Sequence, residues 1–293
     1  MSLADAGRSV LIQGITGHAA RRHTAFMREY GTNIVAGVAP RRGGVDVDGV
    51  PVFETVADAV DATGATTTVA FLPARAVADG LVEAAEAGIR TAVSVTEGVS
   101  LHDVVRAAEA ADGAGMRIIG PNCPGMLSAD RFLLGFLPTR SVSPGGCAVL
   151  SRSGTLSYEA VYALGQGGLG VSLWVGVGGD RVKGSSFEDL LPEVLADHRT
   201  EALVLIGEIG GSDEELVADA LRDLDLPTVA MLAGASAPEG VALGHAGAIV
   251  EGGRGTYAAK RAALEAVGVV VVDRPSELPA AVRAVTANEG GNR

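Results

Sequence analysis

Lysine is nearly absent. Lys183 and Lys260 are the only two in 293 residues, so almost all positive charge is arginine. We read that bias as composition rather than function, although a guanidinium does suit bidentate contacts to phosphate. Positive charge is also outnumbered, 23 Lys and Arg against 35 Asp and Glu, for a formal net charge of −12. That balance excludes binding to nucleic acid or anionic membrane through a general basic surface. Cysteine is scarce too, and Cys123 and Cys147 make no CxxC pair, which excludes a disulfide framework or a zinc site and leaves two reduced thiols as the expectation. No run approaches the roughly 20 apolar residues of a membrane span. The opening segment Met1–Arg8 lacks a basic stretch followed by a long apolar one, so a cytoplasmic protein is expected. No set of His, Cys and carboxylates has metal-ligand spacing, and no metal is expected in the chain.

What is present is an alternation. Short β-rich runs and Ala-rich helical stretches follow one another throughout, the pattern of strand–helix–strand units that build parallel sheets. The apolar fraction of 47% and the length are enough for two domains, each with a core. Strands are expected at Val10–Ile15, Asn33–Val38, Thr67–Leu72, Thr91–Val95 and Met116–Ile119, with helices around Ala20–Tyr30, Val56–Ala62, Ala74–Ala87 and Leu101–Ala114. The last of these carries apolar residues at Val104, Val105, Ala108 and Ala111. Between Gly120 and Gly146 the periodicity lapses into Pro, Gly and Ser, and there we place a domain boundary, at 122/123. A second alternation follows, with strands near Cys147–Leu150, Val171–Val175, Ala202–Ile206, Thr228–Leu232 and Val269–Val272, and helices opening near Gly154, Ser186, Asp213, Thr256 and Ser276. Ser186 and Ser276 are expected as N-caps.

Four loops carry the chemistry. The first strand ends in Gln13-Gly14-Ile15-Thr16-Gly17-His18 before a helix, so backbone N–H groups are set to face a phosphate. The turn is not a dinucleotide fingerprint, because Ala20 occupies its third glycine position and the second strand ends in Ala39-Pro40-Arg41-Arg42 without the ribose-binding acid. His18 and His23 flank this turn. In the second half, Ser151-Arg152-Ser153-Gly154-Thr155 links a strand to a helix start, where an anion fits. Gly207-Glu208-Ile209-Gly210-Gly211 sets a carboxylate among glycines at a strand's carboxyl end, and Leu243–Ile249 sets His245 in a loop of small residues. Loops at that edge of a parallel sheet converge, so Glu208 is a candidate to fix the tautomer of His245 and leave its other nitrogen nucleophilic. A lone His between glycines is ordinarily a loop residue; the candidate acid and anion site favour the catalytic role.

These residues carry a resemblance. Tyr30-Gly31-Thr32, Gly49–Phe53, Thr96-Glu97-Gly98, Ile119–Gly125, Ser151–Leu156 with Tyr158-Glu159-Ala160, Gly178-Gly179-Asp180, Gly207–Gly211 and Gly244–Ile249 occur in the order found in the alpha subunit of succinyl-CoA synthetase and its relatives. The resemblance spans about Val10 to Val285. It implies an α/β protein with a Rossmann-like coenzyme A domain (1–122) followed by a flavodoxin-like ligase domain (123–293). It further implies that His245 is phosphorylated by ATP or GTP, held with Mg on a separate ATP-grasp beta subunit in a heterodimer or heterotetramer, and passes the phosphoryl group to a small carboxylic acid such as succinate. Coenzyme A then attacks the acyl phosphate. By the same resemblance Glu208 holds the imidazole, Ser153, Gly154 and Thr155 receive the phosphoryl group, Tyr158 lies at the acid site, and Thr16, Gly17, His18, Ala19, Arg42, Val95, Thr96 and Glu97 hold the coenzyme.

The departures cluster at the coenzyme end. The family turn Thr-Gly-Ser-Gln-Gly-Thr-Phe-His is here Thr16-Gly17-His18-Ala19-Ala20-Arg21-Arg22-His23, and Arg42 replaces the family Lys before Gly-Gly. A different acid, or an acceptor other than coenzyme A, is therefore an alternative, as is a coenzyme-sensing paralogue that no longer turns over. An NAD(P)-linked redox enzyme is a third, set back by the missing ribose acid.

Overall fold

A computed structural model describes residues 3–236 and 255–290. The chain divides into two compact units, Met1–Leu137 with Val182–Ser185, and Pro138–Arg181 with Ser186–Arg293.

In the first unit a sheet is built from β1 (Val10–Gln13), β2 (Ile34–Val38), β3 (Asp46–Val47), β4 (Val50–Phe53), β5 (Thr67–Ala70), β6 (Thr91–Ser94) and β7 (Arg117–Ile119), in the order β3-β4-β2-β1-β5-β6-β7. All pairings are parallel except β3 with β4. The crossovers are α1 (His18–Glu29), α2 (Val56–Thr63), α3 (Ala74–Glu86) and α4 (Leu101–Ala114). Strand order reverses between β1 and β5, so the loops after these strands open onto a crevice at the carboxyl edge, which is where such sheets bind ligands. Local signals explain the helix ends. Thr55 and Ser100 cap α2 and α4 by accepting from Asp58 N and Asp103 N, and Gly64 and Gly115 end them in the left-handed conformation. Leu11, Val38, Val56, Val77, Leu81 and Ile118 are wholly or nearly buried in the core on one face of this sheet. On α4 the buried residues are Val104, Ala107 and Ala111, whereas Val105 is 40% exposed, one position off the inward face.

A hairpin of β8 (Gly125–Ser128) and β9 (Phe132–Gly135) follows. The sequence pattern suggested a boundary before it, at 122/123, yet the hairpin groups with the first unit. Thr32 Oγ1 donates to Leu133 O at 2.7 Å and accepts from Leu133 N at 3.0 Å, and Phe132 packs where a Cβ on Gly7 would stand.

The second unit carries β10 (Pro144–Ser151), α5 (Gly154–Gln166), β11 (Val171–Gly176), α6 (Phe187–Ala196), β12 (Ala202–Glu208), α7 (Asp213–Leu221), β13 (Thr228–Ala233), α8 (Tyr257–Glu265), β14 (Val270–Val272) and α9 (Leu278–Gly290). Its parallel strands run β14-β13-β12-β10-β11, the flavodoxin-like order, with the switch point between β10 and β12. Every residue of β12 is buried, as expected of a strand covered on both faces. Ser186 caps α6 with a full capping box through Asp189. Ser276 is not a cap: it lies inside a short 3-10 turn, Pro275–Glu277, that precedes α9. Among the described residues no helix is long and apolar enough to cross a membrane.

Candidate functional site

The loops after β10 and β12 meet at the switch point of the second unit. In register, Ser151 pairs with Ile206, so the segment Arg152–Ser153 lies beside Glu208, the last residue of β12. Ser153 begins α5 as its N-cap, its Oγ accepting from Leu156 N at 3.3 Å, and its own N–H is taken up by Ser151 Oγ at 3.1 Å. The N–H groups of Gly154 and Thr155 lie in the first turn, where no helical carbonyl can reach them. Free N–H groups at a positive helix end are the chemistry that suits an anion, and Thr155 beside them is exposed. Tyr158, four residues after Gly154 and on the same face, is half-buried with its ring edge-on to Trp174 at 5.7 Å.

Glu208 is 6% exposed. Its carboxylate lies 3.5 Å from Arg152 Nη2, and its backbone N–H donates to Glu214 Oε1 at 3.0 Å. Arg152 reaches further: Nη1 donates to Gly210 O at 2.6 Å and Glu208 O at 3.3 Å and lies 3.4 Å from both oxygens of Glu214, while Nε faces Asp213 Oδ2 at 3.6 Å. Burial works against the guanidinium's charge, but Glu214, Glu208 and Asp213 outweigh it and its pKa is raised. Lys260 on α8, wholly buried, completes the network by pairing with Glu214 and donating to Gly210 O at 2.7 Å. Burial raises the pKa of neighbouring Glu215, against the lowering pull of Lys260. Gly207 makes the approach possible, since a Cβ there would stand 2.5 Å from Glu214 Oε1. His245 lies outside the described residues.

In the first unit, Thr16, Gly17, His18 and Ala19 form the β1–α1 turn. Gly14 holds a φ of +78° where a Cβ would stand 2.5 Å from Phe71 O, and Gly17 opens α1 with no side-chain cap. The N–H groups of His18, Ala19 and Ala20 therefore have no helical partner and no acid nearby in the first turn. Thr16, Gly17, His18 and Ala19 are all exposed. Arg42 is exposed in the loop after β2, where Glu54 ties down the backbone N–H groups of Arg41 and Gly43. Val95, Thr96 and Glu97 follow β6, with Thr96 Oγ1 bonded to Leu72 O at 2.6 Å. His23 is packed rather than open. Its ring lies parallel to Phe71 at 5.8 Å and within 5.6 Å of Phe136, and burial lowers its pKa, with Arg22 adding to the effect.

Residues 5–98 match the CoA binding domain family and residues 150–270 the CoA-ligase family. The chain is 46% identical over 276 residues to succinate–CoA ligase [ADP-forming] subunit alpha 2 of Archaeoglobus fulgidus, covering 94% of this chain and 96% of that protein. It is 44% identical over 275 residues to the corresponding alpha subunit of Staphylococcus epidermidis, covering 94% and 91%. Among solved structures, ATP citrate lyase of Methanothrix soehngenii, in complex with citrate and coenzyme A, aligns over 99% of this chain with a TM-score of 0.86 at 25% identity; this chain spans 51% of that longer one. The chain belongs to the succinate–CoA ligase alpha-subunit family.

For this alpha-type subunit the structure brings Glu208 and Ser153–Thr155 to one edge of one sheet, and Thr16–Ala19 and Val95–Glu97 to the carboxyl edge of another. Arg152, Asp213, Glu214 and Lys260 join this edge without being among the expected site residues. Two signals pointed to them: a cation between the two serines of the cradle, and one of only two lysines in the chain.

Proposed function

We propose that this subunit carries the phosphoryl-relay histidine of an acid–CoA ligase. In this reading an ATP-grasp beta subunit holds ATP or GTP with Mg. His245, its tautomer fixed by Glu208, attacks the γ-phosphorus; the P–N bond forms as the bond to the departing nucleoside diphosphate breaks. The N–H groups of Gly154 and Thr155 and the positive end of α5 receive the phosphoryl oxygens. A carboxylate oxygen of the acid, a dicarboxylate such as succinate held near Tyr158, then attacks phosphorus and releases the imidazole. The coenzyme A thiol attacks the acyl carbon of that acyl phosphate and expels inorganic phosphate. Thr16–Ala19, Arg42 and Val95–Glu97 hold the coenzyme, and the open N–H groups at the start of α1 fit a diphosphate even without the family's serine and glycine.

The observation that carries this reading is the buried Glu208 set beside the cradle of α5 in a chain so similar to alpha subunits of ADP-forming succinate–CoA ligases. Incubating the chain with its beta partner and γ-labelled ATP is expected to label the protein, and His245→Ala to abolish the label. Label that survives this replacement overturns the reading, and coenzyme A binding without any label favours a sensor.

A further inference from the structure

We infer that Arg152 is a positioning residue for the phosphoryl relay, holding the Glu208 carboxylate in place from a buried ladder that runs Arg152–Glu214–Lys260. The inference rests on the reading that Glu208 orients His245. Three observations carry it. Arg152 approaches Glu208 twice, at the carboxylate through Nη2 (3.5 Å) and at the backbone carbonyl through Nη1 (3.3 Å), so both the side chain and its anchor are fixed. Glu214 is wholly buried between the two cations and accepts the N–H of Glu208, which locks the same residue from its other side. Lys260 and Arg152 both donate to Gly210 O, closing the loop after β12 against α7 and α8.

Arg152 is also the residue directly between Ser151, the end of β10, and Ser153, the cap of α5, so the group that steadies the orienting acid is built into the link that delivers the anion cradle. A move of one moves the other. Glu208, Asp213 and Glu214 would otherwise bring three carboxylates to the place that must accept a phosphoryl anion; the two buried cations offset them.

The fork of Arg152 is what the geometry uses: Nη1 serves Gly210 O, Nη2 the Glu208 carboxylate and Nε faces Asp213, a spread that the three donors of an ammonium, all on one atom, do not reproduce. Arg152→Lys in the assembled ligase is therefore expected to lower the maximal rate of His245 labelling by about 10- to 100-fold, the size of losing one charge-assisted contact to the orienting acid. The KM for the nucleotide, bound on the beta subunit, should stay unchanged. In a Glu208→Gln background the same substitution should cost little more, because the residue it positions has lost its charge. Labelling at the wild-type rate, or effects of the two substitutions that simply multiply, overturns the inference. Where Arg152→Lys fails to fold, Glu214→Gln is read by the same criteria. A wild-type assembly without His245-dependent label sinks the parent reading instead, and is seen before any Arg152 variant is made.

Discussion

Glu214 illustrates how much a single glycine permits. Its carboxylate is gripped by Arg152, Lys260 and the N–H of Glu208, so it has no rotamer to retreat into. A Cβ at residue 207 would meet Glu214 Oε1 at 2.5 Å and its Cγ and Leu232 Cδ2 at 2.8 Å. Gly207→Ala is thus expected to destabilise by about 1–3 kcal/mol, the ordinary cost of overpacking a filled interior. Urea unfolding checks this; a midpoint equal to that of the wild type at unchanged slope counts against it. The two thiols make a second case. Burial pushes Cys123 up from 9.0 to about 12, and burial with the Glu201 carboxylate pushes Cys147 to about 11. Below pH 9 both states are protonated and these groups add nothing to the pH dependence. Above it the unfolded thiols release protons that the folded ones keep, so stability falls as pH rises toward the folded values, by at most ~1.4 kcal/mol per unit from each group. Cys123→Ala should flatten the alkaline limb of the stability curve; an unchanged limb refutes the assignment.

At the level of elements, α6 shows which sequence signals are reliable. Ser186 accepts from Asp189 N at 3.3 Å, and Asp189 Oδ2 accepts from Ser186 N at 2.8 Å. Both donors would lack helical partners without this exchange. Ser186→Ala should lower stability by about 0.5–2 kcal/mol, measured by denaturant midpoint, and Pro192 inside the same helix makes its first turn more dependent on the cap. The Ser186 cap is local and legible, as are the parallel strands with apolar runs; the short strands β3, β4, β8 and β9 are not. What escaped was non-local. Ser276 has the same chemistry as Ser186, but Arg274 and Glu277 close a 3-10 turn around it and the helix begins later. That the β8–β9 hairpin groups with the first unit is not legible either, because Thr32 meets the β9 backbone about a hundred residues away, a contact no window of sequence displays. Likewise the places of Glu208 at a strand's carboxyl end and of Ser153 at a helix start are readable from their glycines and serines. The ladder behind them joins residues 152, 214 and 260, and only the sheet order brings these together.

For the molecule as a whole, the net charge of −12 sets a problem that the site must solve. The proposed coenzyme and phosphoryl donor are both anions, and the general field of the chain repels them. Attraction must come from a local group of cations. Arg21, Arg22, Arg41 and Arg42 lie around the β1–α1 turn and the loop after β2, with Arg21 partly offset by its ion pair to Asp48 at 2.9 Å. At physiological ionic strength the screening length is about 8 Å. A bound coenzyme therefore feels these arginines while the remoter carboxylates are largely screened. Calorimetric titration of the chain with coenzyme A should accordingly show affinity falling as salt is added, and Arg42→Gln should weaken binding by about 10-fold or more, the loss of one charge-assisted contact of ~1.5–3 kcal/mol. The variant should also show a shallower salt dependence. Affinity that instead rises with salt would mean that the acidic field of the whole chain outweighs the local cations, and that the rewritten turn does not hold the coenzyme's phosphates.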